Sequence, residues 1–251
     1  MLKVVKLGGN ELDQPDWLAA CGVALKAVEP VVVVHGGGRA VSALSERLGL
    51  PVDKRGGLRV TSPEIAAVVE MVMGGPANRL VVDALRRAGL DAIGLSGADG
   101  GLLTAAPLPE LGHVGEIVAV RTGLLDSLLL AGFTPVIAPM APGPQGGVPL
   151  NVNADQAAAA IAGELGAAEL LFVSNVPGVR VDGVTQTSLA TSEIEPLIAA
   201  GVAADGMAAK LRAAALALRT GALAVRVGDL AMLADPAAGT RILPHLAARV
   251  A

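Results

Sequence analysis

The chain alternates between short apolar runs and longer stretches in which apolar residues recur every three or four positions. The short runs predict β-strands at 2–7, 31–34, 92–95, 135–139, 169–174 and 222–227. The periodic stretches predict helices at 17–28, 41–48, 63–73, 77–88, 122–130, 155–165 and 207–219. This alternation indicates an α/β fold: a mostly parallel central sheet with helices on both faces.

Two segments, 51–60 and 101–120, interrupt the alternation with glycine, proline and short alternating runs. Such segments predict β-hairpins inserted into the α/β framework. A boundary between two lobes is expected near Gly166.

Composition narrows the class of protein. The 251 residues fit one large domain or two small ones, and 53% are apolar but only 1% aromatic, so alanine and small aliphatic residues must form the core. No apolar run approaches the roughly 20 residues of a membrane span, and the first residues show no signal-peptide pattern. Cys21 is the only cysteine, which excludes an intrachain disulfide, and the net charge of −4 argues against a nucleic-acid partner. We expect a soluble cytoplasmic protein.

Glycine-rich turns follow the first two predicted strands: KLGG at 6–9 and HGGG at 35–38. Ligands of open parallel sheets bind beyond the carboxyl ends of the strands. Gly8, Gly9 and the glycines at 36–38 would present backbone N–H groups there as two anion sites, or they would simply form tight turns. Because two such turns follow successive strands, and Lys6 precedes one of them, a phosphate-binding site is favoured over simple tight turns. The P-loop and dinucleotide fingerprints are both absent.

Lysine is scarce, since only five of the 19 basic residues are lysines. Lys6 and Lys210 lie among apolar or small residues, where a compact charge suits a transferring phosphoryl group. Lys3, Lys26 and Lys54 are expected to be ordinary solvated side chains.

Three polar residues alternate in the segment NVNAD: Asn151, Asn153 and Asp155. Asn153 is a credible N-cap, and Asp155 falls in the first helical turn. A capping role accounts for only one of these three polar residues. A carboxylate here could hold two lysines, and an asparagine could bind a substrate.

Other polar residues carry weaker signals. Arg59, in the first hairpin, suits a carboxylate clamp and is equally compatible with a surface position. The histidines have no metal-ligand spacing, so no metal ligands are expected, and His35 is expected to support the glycine turn rather than to transfer protons. Ser96 lies outside any G-x-S-x-G elbow.

Taken together, nine motifs spread over residues 4–242 resemble the amino acid kinase family, in particular its acetylglutamate kinases. They are KLGG, VVHGGG, GLRVT, GLSGADGGL, LGHVGEI, NVNADQAA, SNVPGV, DGMAAK and GTRI. The resemblance implies a three-layer αβα sandwich with an amino-acid-binding lobe at 1–165 and a nucleotide-binding lobe at 166–251. It also implies a reaction of arginine biosynthesis, in which ATP and N-acetyl-L-glutamate give N-acetyl-L-glutamyl 5-phosphate and ADP.

The resemblance implies a role for each matching residue. Lys6 and Lys210 correspond to lysines that stabilise the transition state, and Asp155 to the aspartate that organises them. The substrate contacts correspond to Gly37, Gly38, Arg59 and Asn151. The phosphate and nucleotide contacts correspond to Gly8, Gly9, Gly36, Asn175, Val176, Pro177, Gly178, Val179, Arg180, Val202, Ala203 and Ala204.

This chemistry agrees with the residues present. A carboxylate nucleophile is already ionised at neutral pH, so it needs no general base. Catalysis then consists of positioning and charge stabilisation. Few carboxylates are available to build a protein metal cage, so Mg²⁺ is expected to arrive with ATP.

Departures from the family leave alternatives open. Asn175 stands where many relatives carry aspartate. The chain lacks the N-terminal helix of arginine-inhibited hexameric relatives, which suggests a homodimer insensitive to arginine. The rival functions are a kinase of carrier-linked aminoadipate in lysine biosynthesis and a non-catalytic sensor on the same fold. The net acidic charge argues against an acidic carrier, and the joint presence of Lys6, Asp155 and Lys210 argues against a sensor.

Overall fold

A computed structural model describes residues 1–143 and 147–244, which contain the following elements. The strands are β1 Lys3–Leu7, β2 Val31–His35, β3 Lys54–Arg55, β4 Leu58–Arg59, β5 Ala92–Ser96, β6 Leu103–Pro107, β7 Val114–Val120, β8 Thr134–Ala138, β9 Met140–Ala141, β10 Leu150–Val152, β11 Glu169–Val173, β12 Arg180–Val181, β13 Val184–Thr185, β14 Ser188–Ala190, β15 Val225–Gly228 and β16 Thr240–Leu243. The helices are α1 Pro15–Lys26, α2 Gly38–Arg47, α3 Pro63–Val72, α4 Asn78–Arg87, α5 Thr122–Leu130, α6 Ala154–Glu164, α7 Ile194–Ala199, α8 Asp205–Thr220 and α9 Ala231–Ala234.

Eight strands form the central sheet in the order β14-β16-β15-β11-β1-β2-β8-β5. The pairs from β15 to β5 are all parallel, and β16 runs antiparallel to β15. A smaller sheet joins β6, β7, β10 and β9, and β3–β4 and β12–β13 are two-stranded hairpins. The parallel arrangement brings the carboxyl ends of β1, β2, β11 and β15 to one edge of the sheet.

Both faces of the central sheet are buried. In β1, Val4 packs with α6 and α8, whereas Val5 packs with α1 and α4 on the opposite face. All residues of β2 are buried, which explains its unbroken valine run, because a strand covered on both faces has no solvent side. Helices, sheet and helices therefore form the expected three-layer αβα sandwich.

The predicted strands, helices and two hairpins are confirmed, with boundaries that shift by one to three residues at most of their ends. The elements that prediction missed are the short ones, from two to six residues, such as β9, β12 and α7. They are too short for a hydrophobic period to be visible.

The break expected between the third and fourth helices is a π-helical turn at Met73–Ala77. Gly75 has non-helical backbone angles there, and Pro76 follows, so α3 and α4 join across a kink. The joined stretch Pro63–Arg87 is the one helix within the described residues long and apolar enough to cross a membrane. Over half of its most apolar window is buried inside the protein, which is typical of a core helix.

Arg226 on β15 is a buried charge that holds a loop in place. Its Nε donates to Glu169 Oε1 at 2.6 Å, and its two Nη groups donate to the carbonyls of Met232, Asp235 and Ala238. One guanidinium thus satisfies three carbonyls of the segment that connects β15 to β16.

Arg226→Ala should destabilise the fold, because it removes a buried donor from the Met232 and Ala238 carbonyls and leaves Glu169 with Lys3 as its one remaining partner among the described residues. The expected loss is about 3–5 kcal/mol of unfolding free energy, measured by urea denaturation. Arg212→Ala is the matched control: it breaks a bidentate pair with Glu195 whose two side chains are exposed, so it should change stability little. Equal losses in the two variants would contradict this account.

Candidate active site

Two ammonium groups converge on one carboxylate oxygen near the carboxyl edge of the sheet. Lys6 Nζ lies 3.0 Å from Asp155 Oδ1, and Lys210 Nζ lies 3.3 Å from the same oxygen. All three side chains are buried. The cluster carries a net positive charge inside the protein, which is a suitable environment for an anion.

Three elements bring these residues together. Lys6 lies on the β1 face that α6 and α8 cover, and Lys210 lies on α8, 5.4 Å above the Phe172 ring. Asp155 lies in the first turn of α6, and Asn153 caps this helix by accepting from the N–H groups of residues 155 and 156. The predicted cap is thereby confirmed. Small residues let α6 and α8 approach closely, since a Cβ on Gly163 would collide with Thr220.

The protonation of the cluster follows from burial and from mutual charge. Burial alone would raise the pKa of Asp155, but Lys6 and Lys210 outweigh it and hold this pKa below its usual value. Burial and then the charge of Lys6 lower the pKa of Lys210, Asp155 opposes them, and the net pKa is about 8. Asp155 is therefore an anion at neutral pH, and Lys210 is charged but close to its titration point.

The two glycine turns touch each other through their backbones. A Cβ on Gly9 would lie 2.5 Å from the Gly37 nitrogen, and a Cβ on Gly36 would lie 2.9 Å from the Gly9 nitrogen. No larger residue would allow this approach. Both turns therefore form one continuous surface beside the carboxyl ends of β1 and β2.

The N–H groups of these turns divide into two sets. Gly8 donates to Val173 and Gly36 donates to Leu7, so both extend the strand ladders. The expectation that every glycine N–H of the turns faces a ligand is thus wrong for these two, because each N–H is taken by a carbonyl of a neighbouring strand. Within the described residues, the N–H groups of Gly9, Gly37 and Gly38 have no acceptor. A binding role for Gly8 and Gly36 stays a prediction, but it does not use their N–H groups.

His35 supports the second turn. Its Nδ1 lies 2.8 Å from the Gly36 carbonyl oxygen, and its Nε2 lies 3.1 Å from Asn78 Nδ2. Because a carbonyl only accepts, Nδ1 carries the proton and Nε2 accepts from Asn78. Burial lowers the pKa of His35 to about 4, so the ring is neutral at physiological pH. This geometry fits the positioning role expected for His35.

A cavity of about 180 Å³ adjoins the glycine turns. Arg59 in its wall is buried, so the alternative of a surface arginine is wrong. Its Nη2 donates to the Gly38 carbonyl at 2.8 Å and to Ser42 Oγ at 2.7 Å, whereas Nη1 has no partner among the described residues. A buried donor without an acceptor is costly, so Nη1 is well placed to donate to an anionic ligand in this cavity. The cavity also has Gly37, Gly38 and Asn151 in its wall, the other predicted substrate contacts.

Comparison with known proteins identifies the family. The model of the amino acid kinase family matches residues 1–229. This chain belongs to the amino acid kinase family. Acetylglutamate kinase of Chloroflexus aurantiacus is 49% identical over 218 residues, covering 85% of this chain and 86% of its own length. Acetylglutamate kinase of Geobacillus kaustophilus is 43% identical over 215 residues, covering 84% of this chain and 83% of its own length. The crystal structure of smu.665 from Streptococcus mutans has a TM-score of 0.83 at 29% identity, covering 91% of this chain and 94% of its own.

In this amino acid kinase, one residue of each predicted nucleotide segment lies in the same layer as Lys210. Val179 and Ala203 both belong to the buried cluster around α6 and α8. The Val179 N–H donates to Thr240 Oγ1, which fixes the 175–180 segment against β16. Arg180 is exposed and donates to the Gly183 carbonyl within its own hairpin. Asn175 lies in the wall of a separate cavity, away from the substrate contacts named above.

Sequence reasoning missed several residues of the kinase site. Lys54 is exposed, as expected, but it also pairs across its hairpin with Arg59 and lines the same cavity. Thr61 accepts from Asn151 Nδ2 and donates to the Arg59 carbonyl, so it links two predicted contacts. The available signal for Lys54 was its position in the same predicted hairpin as Arg59. The Asn78–His35 contact joins residues 43 positions apart and left no local signal.

The alkaline side of the pH profile should depend on Lys210. Its ammonium is protonated below pH 8 and neutral above, so kcat/KM for ATP should fall up to tenfold per unit as pH rises through about 8. The residual kcat/KM of Lys210→Arg should show no fall over that range, because arginine stays charged. A wild-type profile without an alkaline limb up to pH 9.5 would contradict the assignment.

Proposed function

We propose that this kinase transfers the γ-phosphoryl group of ATP to the side-chain carboxylate of N-acetyl-L-glutamate, forming N-acetyl-L-glutamyl 5-phosphate and ADP in arginine biosynthesis. Relatives at 42–49% identity that carry the name acetylglutamate kinase support this substrate. The convergence of Lys6 and Lys210 on Asp155 beside the glycine turns carries the proposal, because it provides positive charge where a phosphoryl group would transfer.

The substrate cavity suits an acyl amino acid with two carboxylates. Arg59 Nη1 takes the α-carboxylate, since it is the buried donor without a partner. Asn151, in the same wall, hydrogen-bonds the acetamido group, and the apolar Val69 and Met73 contact its methyl. The side-chain carboxylate then points toward the glycine turns, where it is already ionised and attacks without a general base.

Phosphoryl transfer is stabilised by charge and by backbone donors. Lys6 and Lys210 neutralise the negative charge that spreads over the transferring group, and Asp155 keeps their ammonium groups together despite their repulsion. The free N–H groups of Gly9, Gly37 and Gly38 hold the phosphoryl oxygens. This arrangement fixes the donor and acceptor without covalent participation of the protein.

Mg²⁺ supplies additional charge neutralisation when it is bound with ATP. No group of three or more His, Cys, Asp or Glu side chains that could hold a metal exists within residues 1–143 and 147–244. The nucleotide phosphates are therefore the main ligands that we propose for the ion.

The proposal also covers the two lobes of the chain, its cellular location and its oligomeric state. Residues 1–165 bind the acyl amino acid and residues 166–251 bind the nucleotide, of which 245–251 lie outside the described residues. We place the enzyme in the cytoplasm as a homodimer. The terminal position of β5 in the sheet supports a dimer, as do the exposed apolar side chains of Met71 and Leu80 nearby on the kinked helix. Sedimentation velocity measures the oligomeric state, and a monomer at micromolar concentration overturns this part.

Lys6→Ala should lower kcat about 10²–10³-fold with little change in KM for N-acetylglutamate, because the ammonium acts on charge that develops during transfer. Steady-state kinetics checks this. Lys26→Ala removes an exposed lysine paired with Glu29 and serves as the control with unchanged kcat. If Lys6→Ala turned over like the wild type, Lys6 would have no part in the chemistry.

Arg59→Ala should chiefly raise KM for N-acetylglutamate, by roughly thirtyfold for the loss of about 2 kcal/mol from one charge-assisted contact. Arg55→Ala lies on the same hairpin but pairs loosely with Asp53 in solvent, so its KM should stay unchanged. An unchanged KM in Arg59→Ala would remove the arginine from substrate binding.

A direct assay separates the candidate functions. Purified enzyme with MgATP should release ADP with N-acetylglutamate and not with carrier-linked aminoadipate. Turnover with the carrier-linked substrate alone would reassign the enzyme to lysine biosynthesis. Binding of both ligands without ADP release would indicate a sensor.

A further inference from the structure

A second cavity opens at the carboxyl ends of β1, β11 and β15, with a volume of about 440 Å³. It has an oxygen-rich wall and no lysine or arginine in that wall. The polar side chains that line it are Glu11, Gln14, Ser174, Asn175 and Asp229, and the remaining wall is Trp17, Leu230 and Ala231.

Glu11 is the unusual member of this wall. Only 5% of the residue is exposed, and its side chain has no ion pair or hydrogen bond with any described residue. Its Oε2 lies against the first glycine turn, 2.6 Å from where a Cβ of Gly8 would be. By comparison, Asp155 is equally buried but is held by two lysines. The carboxylate oxygens of Glu11 reach the cavity, and no cation among the described residues pairs with them, so Glu11 presents an unpaired negative charge to the cavity.

A second carboxylate faces the same space. Asp229 Oδ1 accepts from the Ala231 N–H at 3.0 Å, while no described residue donates to its Oδ2. Carboxylate, amide and hydroxyl oxygens are the ligands that hard divalent cations prefer. The absence of sulfur and imidazole from this wall argues against zinc.

Glu11 lies next to a backbone N–H group that could bind a phosphate oxygen. It adjoins the Gly8–Gly9 turn, whose Gly9 N–H is free to bind a phosphate oxygen. A bare carboxylate beside a polyphosphate would repel it. A divalent cation between the two reverses the sign of that interaction and satisfies both groups.

We propose that Glu11 anchors a divalent-cation site of the Mg²⁺ class in this cavity, with Asp229 and the side-chain oxygen of Asn175 as further ligands. The cation site itself stands on Glu11 and its cavity. Its use by nucleotide phosphates rests on the proposed kinase function. Glu11 thereby supplies a protein ligand for an ion that would otherwise be held by the nucleotide alone.

Trp17 makes the site directly observable, because it is the only tryptophan of the chain and no tyrosine is present. Paramagnetic Mn²⁺ quenches nearby tryptophan fluorescence, so titration with MnCl₂ should give saturable quenching that excess Mg²⁺ reverses. Glu11→Gln should raise the Kd for Mn²⁺ at least tenfold. Asp229→Asn should also weaken binding, and asparagine can still cap the following turn.

The matched control is Asp16→Asn, which makes the same change of charge one residue from Trp17 on an exposed side chain outside the cavity. Its Kd should equal that of the wild type. Thermal unfolding checks that Glu11→Gln remains folded, and we expect its Tm to be unchanged or higher because a buried unpaired charge is removed.

The titration is run with Mn²⁺ alone and with Mn²⁺ plus ADP. Glu11-dependent quenching with Mn²⁺ alone identifies a site that binds the free ion, and quenching only with ADP identifies one filled together with the nucleotide; either result supports the proposal. No saturable quenching under either condition, or an unchanged Kd in Glu11→Gln, overturns it. None of these readouts uses turnover. The cation site can therefore be disproved while the proposed kinase function stands, and the kinase function can be disproved while the cation site stands.

Discussion

The carboxylate of Asp155 separates two ammonium groups that would otherwise repel each other inside the protein. Its Oδ1 contacts Lys6 and Lys210 at 3.0 and 3.3 Å, and this single oxygen joins β1 to α8 through the first turn of α6. The cluster remains one charge positive, which favours an incoming phosphate. The same contacts that hold the layers together therefore create the electrostatic environment of the site.

Close packing of small residues makes this arrangement possible. Alanines line the contact of α6 with α8, and glycines let the turns after β1 and β2 touch through their backbones. A chain with 1% aromatic residues builds its core in this way, by approach of backbones rather than by large side chains. The short distances between elements bring charges from three of them to one point.

Much of the fold could be predicted from the sequence, because long buried elements leave a clear period. The short apolar run at 31–34 predicted β2, and Asn153 predicted the start of α6. The membership of Lys6, Asp155 and Lys210 in one cluster followed from their unusual surroundings and from the family resemblance. Contacts that depend on tertiary structure were invisible. The length of the ladder at Gly36 depends on pairing with a neighbouring strand, and the burial of Glu11 depends on three strand ends meeting.

Arg59 ties the substrate recognition that we propose to the geometry of the second glycine turn. Its Nη2 holds the Gly38 carbonyl while its Nη1 is free for a ligand, so one guanidinium serves both purposes. Replacing it to accommodate a different substrate would also disturb the turn beside the phosphoryl group. Divergence toward new substrates should therefore proceed through neighbours that serve only one purpose, such as Lys54 or Leu58, while the arginine persists. In this protein, the residue that we propose to recognise the substrate most directly is also the one least free to change with it.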